Sequence, residues 1–177
     1  MRVDILERED VKAMSERLKG QYRLIWLLGV STGLRISDIL TLKARQCCVS
    51  KAYIRERKTG KNRAVYIRKS IREQCAAYAA RNNIPDNGRM FTISRQAVWK
   101  AFKRAARKEH ICTNIGTHTM RKSYSKAYID KGYTVQELQK RLNHSHLGDT
   151  LGYLTSNSQL GLDEHGNKRR KRGGKKK

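Results

Sequence analysis

One stretch of this chain keeps a two-residue rhythm while most of the rest keeps a three- to four-residue one, and that contrast limits the possible folds more than any other feature. In "KAYIRERKTGKNRAVYIRK", Lys51 to Lys69, Tyr53 and Arg55 alternate with Ile54 and Glu56, and the alternation resumes with Val65 and Ile67 beyond Thr59 and Gly60. Alternation sends successive side chains to opposite faces, so two short strands joined at a glycine-containing turn are predicted, with Lys58 at the turn. Before it, "EREDVKAMSERL" (Glu7 to Leu18) carries acids in its first turn and Val11, Met14 and Leu18 at helical spacing, with Gly20 as its stop. "QYRLIWLLGVSTG" predicts a more buried helix that ends at Gly33. "RISDILTLK" starts again with Ile36, Ile39, Leu40 and Leu42 inward, which leaves Arg35 at a tight junction.

After the strands, Ser70 to Arg81 reads as a helix, and "SRQAVWKAFKRAARKEH" as an amphipathic one with Val98, Trp99, Phe102 and Ala105 on one face. Thr117 is predicted to cap a helix through His118, Arg121, Tyr124 and Tyr128 that ends at Gly132. Two shorter helices follow, Val135 to Leu142 and Leu147 to Leu154, with "NHSH" as their joint. The predicted fold class is α+β, mainly α-helical with a small antiparallel β-sheet, in one domain.

Charge narrows the partner. Forty Lys and Arg residues give a net charge of +25 and a pI near 10.4. Eight of the ten residues from Lys168 to Lys177 are basic, and removing them still leaves +17, so the folded part is itself strongly basic. Nucleic acid is the polyanion that such charge fits, because each neutralised phosphate releases counterions. The longest apolar run, "LIWLLGV" from Leu24 to Val30, is far short of the ~20 residues of a spanning helix, and "MRVDILERED" lacks a signal-peptide core. No membrane partner and a cytoplasmic, DNA-associated location are expected. Cys47, Cys48, Cys75 and Cys112 lack zinc-site spacing and are expected to be reduced small hydrophobes, Cys47 and Cys48 pointing to opposite faces of a strand.

Six polar residues stand where chemistry could use them. Arg35 lies at a helix junction, Lys58 at a hairpin turn, His118 and Arg121 three apart on one helix face, His144 in a joint, and Tyr153 nine residues later. Singly, each has a plain reading as a solvated or half-buried side chain. Their order and setting resemble the tyrosine site-specific recombinases, or phage-type integrases. "TGLRISDILTL" resembles that family's first arginine box, "KTGK" its hairpin lysine segment, "THTMRKSYSKAYIDKG" its His-x-x-Arg box, and "LNHSHLGDTLGYL" its closing histidine and tyrosine box. The family commonly has Gly before the last histidine, where this chain has Asn143; His146 is read as a surface residue.

The resemblance implies catalytic roles for Arg35, Lys58, His118, Arg121, His144 and, as nucleophile, Tyr153. Two arginine forks suit the non-bridging oxygens of a phosphodiester under in-line attack. Tyrosine must lose a proton as it attacks, which His118 would accept, and the departing 5′ oxygen needs one, which Lys58 would give. His144 would donate a hydrogen bond to the phosphate. The 3′-phosphotyrosyl product conserves bond energy, so cleavage and rejoining of duplex DNA is expected without ATP, metal or cofactor.

The expected organisation is a catalytic domain over 1–160 and a basic tail without fold over 161–177. No separate N-terminal core-binding domain is expected, because the segment before Arg35 is shorter than the ~50 residues of a small domain. Relatives imply a homo-oligomer on DNA, a dimer per site and a tetramer at synapsis. The alternatives are a fimbrial-switch-type DNA invertase of the same family, a non-catalytic DNA-binding regulator on the same scaffold, a type IB topoisomerase and a basic RNA-binding protein. The target sequence and the direction of reaction are not readable from the chain.

Overall fold

A computed structural model describes residues 4–112 and 114–155. The tail predicted over 161–177 lies outside them. The chain divides after Tyr124 into two units.

The first unit is built on a buried central helix. α1 (Arg8–Arg17) ends at a two-residue joint, and α2 (Gly20–Thr32) follows at once, so Gly20 opens the second helix instead of closing the first. α2 buries Leu24, Ile25, Trp26, Leu28 and Gly29. Full burial of large apolar side chains stabilises by roughly 1.5–3 kcal/mol each. Trp26 packs edge-on against Phe102 at 5.1 Å and donates its indole N–H to Val11 O at 3.2 Å and Ser15 Oγ at 3.1 Å. α2 stops at Gly33, whose φ of 66° is the left-handed conformation that glycine adopts without strain.

The segment "RISDILTLK" is helical only over α3 (Ile36–Ile39), after which two turns lead to α4 (Ala44–Cys48). α4 corrects the strand expected at Cys47 and Cys48. Gln46 in its first turn takes the Lys43 N–H at 2.9 Å, a helix-start arrangement, and alternation begins only at Lys51. Cys47 is buried; a hydrogen bond with Cys75, with burial, pushes its thiol far above the ordinary range, so it packs as a neutral group.

β1 (Lys51–Arg55) and β2 (Asn62–Tyr66) pair antiparallel, Lys51 opposite Tyr66 and Arg55 opposite Asn62. The inner face carries Ala52, Ile54, Arg63 and Val65, and the outer face Lys51, Tyr53, Arg55 and Tyr66. α5 (Lys69–Arg81) packs on α2 and α4, and α6 (Arg95–Lys108), capped by Ser94 Oγ on Ala97 N at 3.1 Å, packs on α1. On α6, Val98, Phe102 and Ala105 are buried as expected, but Trp99 is 44% exposed. One residue is about 100° of helix, which carries Trp99 past the edge of that face, where Lys103 Nζ lies 5.9 Å from its ring. The ends of this unit meet: Asp4 N donates to Asn114 O at 2.9 Å, Asn114 N to Asp4 Oδ2 at 2.8 Å, and Leu6 N to Ser123 Oγ at 3.1 Å.

α7 (Thr119–Asp130) starts one residue later than a cap at Thr117 predicts and runs on into the second unit. A turn delays it: Gly116 N donates to Thr119 Oγ1 at 3.0 Å and Thr119 N to Gly116 O at 3.1 Å. The second unit continues with α8 (Val135–Leu142) and α9 (Leu147–Thr155), which pack on each other. Thr134 and Glu137 bond reciprocally at the start of α8. Among the described residues, no helix is long and apolar enough to cross a membrane.

Candidate active site

The end of α2 organises the first unit's cations. Its last carbonyls have no partner within the helix and carry the negative end of its dipole. Arg63 Nη2 donates to Thr32 O at 2.7 Å, and Arg121 Nη1 donates to Gly33 O at 2.6 Å. Arg121 is only 1% exposed. Close approach of α7 to α2 makes this possible: a Cβ on Gly29 would lie 2.8 Å from Met120 Cβ, so only glycine leaves room beside Arg121.

Arg35 follows two residues after Gly33, at the residue that precedes α3. Its Nη1 donates to Glu56 Oε2 at 2.8 Å, with the carboxylate wholly buried. Arg63 Nη1 is 3.6 Å from Glu56 Oε1, an ion pair just beyond hydrogen-bond length. Thr59 Oγ1 also donates to Glu56 Oε2, at 2.9 Å. Asp38, buried on α3, accepts the Arg57 N–H on Oδ1 at 3.0 Å. Lys58 lies between these attachments, exposed, in the turn of the hairpin. Two carboxylates thus fasten the lysine turn to the segment that carries Arg35.

His118 is not inside the helix with Arg121. Its carbonyl takes the first helical N–H, that of Lys122 at 3.1 Å, which makes it the flanking residue just before α7. Burial lowers its pKa below the ordinary histidine value, and the positive charges of Arg95, Arg121, Arg35 and Lys122 lower it further. It is therefore a neutral imidazole at neutral pH, in the field of both predicted arginines. A cleft of about 330 Å³, lined by Arg95, Gln96, Trp99 and Thr117, opens next to it in sequence.

The second unit brings the last two predicted residues together. The His144 and Tyr153 rings lie 5.6 Å apart, tilted by 37°. His144 Nδ1 is 2.9 Å from the buried Thr150 Oγ1. Gln139 brackets the histidine backbone, accepting its N–H on the main chain at 3.1 Å and donating Nε2 to its carbonyl at 3.3 Å. Asn143, before it, ends α8 at φ 57° and ψ 37°. That left-handed conformation explains the departure from glycine: asparagine is the side chain that adopts it most readily. His146 is exposed, as expected.

Sequence reasoning missed Glu56, Arg63, Asp38 and Arg95. A signal for two of them was available. The alternation that turns Ile54 and Val65 inward also turns Glu56 and Arg63 inward, and charges on a buried face must be paired. Asp38 and Arg95 carried no such mark. Among the described residues, no three His, Cys, Asp or Glu side chains form a metal-ligand cluster.

A family model described as the "Phage integrase family" matches residues 4–159. The chain is 29% identical over 148 residues to the "Probable integrase/recombinase YoeC" of Bacillus subtilis (strain 168), covering 79% of this chain and 77% of that one. Tyrosine recombinases XerA and XerD from several organisms are matched over 49–60% of their own length, so this chain spans little more than half of them. In solved structures, the catalytic domain of bacteriophage HP1 integrase matches with a TM-score of 0.68 at 22% identity, over 90% of this chain and 94% of that one. XerH bound to its palindromic difH substrate matches with a TM-score of 0.74 at 18% identity, over 86% of this chain and 49% of that one.

Proposed function

This chain belongs to the phage integrase family, and from that premise we propose that it is a site-specific recombinase that cleaves and rejoins duplex DNA through a phosphotyrosyl intermediate. The observation that carries the reading is the convergence of Arg121 and Arg35 at one helix end, with His118 held neutral beside them.

The Arg35 and Arg121 guanidiniums grip the non-bridging oxygens of the scissile phosphate and stabilise the charge that builds there. Tyr153 Oη attacks phosphorus, an O–P bond to tyrosine forms, and the bond to the 5′ oxygen breaks. His118 takes the phenol proton, Lys58 gives one to the departing 5′ oxygen, and His144 hydrogen-bonds the phosphate. Rejoining is the same step in reverse with a different 5′ hydroxyl. The energy of the broken bond stays in the 3′-phosphotyrosyl link, so ATP is not needed, and guanidinium takes the electrostatic place that a metal ion holds in other phosphoryl transfers. Two chains per DNA site and four at synapsis, in the compartment that holds the DNA, complete the reading.

A nicked suicide duplex, from which the 5′ fragment diffuses away, tests it. The protein should form a covalent adduct visible on a denaturing gel, undiminished in excess EDTA. Tyr153→Phe should form none while binding the duplex within about twofold of wild type, since backbone contacts carry most of the affinity. Adduct surviving in Tyr153→Phe would move the nucleophile elsewhere, and loss in EDTA restored by Mg²⁺ would replace the arginine mechanism by a metal one.

A further inference from the structure

We propose that Glu56 is a positioning residue for this reaction: its buried carboxylate aims the Arg35 guanidinium at the phosphate and locks that arginine to the turn that carries Lys58. The inference rests on the role proposed for Arg35.

Glu56 continues the inward-facing series Ala52, Ile54, where an apolar residue would extend the core. A carboxylate there gives up its hydration, and only well-placed cations offset that cost. It has two. Oε2 takes Arg35 Nη1 at 2.8 Å, and Oε1 lies 3.6 Å from Arg63 Nη1. Arg63 is in turn fixed by Thr32 O at 2.7 Å, so the carboxylate is held from the helix end that also receives Arg121. The chain of contacts therefore runs from the end of α2, through Arg63 and Glu56, to Arg35.

Only one Arg35 nitrogen is committed to Glu56, which leaves Nε and Nη2 as a donor edge for an anion. A guanidinium anchored on one edge presents the other at a fixed angle, whereas an unanchored one samples many rotamers before it meets the phosphate. Glu56 also shapes the lysine turn directly. Its N–H donates to Lys61 O at 2.9 Å, its carbonyl accepts Gly60 N at 2.8 Å, and its Oε2 accepts Thr59 Oγ1 at 2.9 Å. Arg35 and the Lys58 turn, 21 residues apart along the chain from Arg35 to Glu56, are thereby set by one side chain.

Single-turnover cleavage of the suicide duplex by wild type, Glu56→Gln, Glu56→Ala, Arg35→Lys and the Glu56→Gln/Arg35→Lys double variant tests this, with duplex affinity and thermal melting measured beside it. Partners that orient metal ligands are worth ~10–100-fold in activity, and a loss of the same order is expected for the partner that orients Arg35. Glu56→Ala is expected at the upper end of that range and Glu56→Gln, whose amide oxygen still accepts from Arg35, at the lower end, both with affinity within about twofold of wild type. In the Arg35→Lys background, where the fork is already gone, Glu56→Gln should cost less than about twofold, because residues acting through one another are not additive. Should Glu56→Ala fail to melt cooperatively, the isosteric Glu56→Gln cycle carries the test alone. Wild-type cleavage by Glu56→Gln and Glu56→Ala, equal losses in both backgrounds, or a fall in affinity matching the fall in rate would each overturn the proposal. Wild-type cleavage by Arg35→Lys would instead remove the role of Arg35 itself.

Discussion

His118 owes its neutrality to burial and to four surrounding cations, and that has a consequence in pH. Its folded pKa lies below its unfolded value, so as pH falls the unfolded chain takes up the proton first. The histidine thus makes no demand on stability above pH 6.5, and folding weakens as pH drops from there towards the folded pKa. Cleavage should behave in the same direction, keeping its rate below pH 6.5 and losing it only once the imidazole charges. Arg95→Ala removes the largest of the neighbouring charges acting on His118. The His118 ring titration, followed by NMR in the free protein, should then move to higher pH, and an unmoved midpoint would mean that the Arg95 charge does not act on it. At this scale the sequence marks the proposed set, Arg35, Lys58, His118, Arg121, His144 and Tyr153, by their order and by the resemblance of their surroundings to a known family. It was not legible where a residue acts through a neighbour across the fold. Asp38 and Arg95 look like any other surface charge until Arg57 N and His118 are brought beside them.

At the scale of elements, the two arginines depend on how closely α7 can approach α2. Gly29 is the residue that sets that distance, because a side chain there would overlap Met120 at both Cβ and Sδ. Overpacking of this kind costs about 1–3 kcal/mol. Gly29→Ala should therefore lower the melting temperature and, because Met120 adjoins Arg121, reduce adduct formation more than it reduces duplex affinity. A melting temperature equal to wild type would show that Met120 yields without cost. Elements with a strong period were readable, the hairpin from its alternation and α6 and α8 from their apolar stripes. The failures were at boundaries and in short pieces. α4 has five residues, too few for a period to register, and the start of α7 was set by a Gly116–Thr119 turn that Thr117 masked. Trp99 was misplaced because apolar character was allowed to stand for facing direction.

For the whole molecule the dominant quantity is charge. Eight cations between Lys168 and Lys177 should add phosphate contacts that carry no sequence information. Deleting residues 168–177 should weaken binding to target and scrambled duplex by similar factors and lower the slope of log affinity against log salt by ~0.9 for each phosphate no longer neutralised. Affinities measured across a salt series check this; unchanged slopes would mean that the segment touches no phosphate. The meeting of Asp4 with Asn114 and of Leu6 with Ser123 bears on a different moment in the protein's life. A ribosome adding roughly 5–20 residues per second needs about 6–23 s to get from Leu6 to Ser123. During that interval the nascent chain already holds Gly33 and Arg35, but the strap that closes the unit has nothing to close on. The proposed pairing of Arg35 with Arg121 on one phosphate therefore cannot form before the second arginine has been synthesised, and a truncated product released before that point would carry the first arginine without the second.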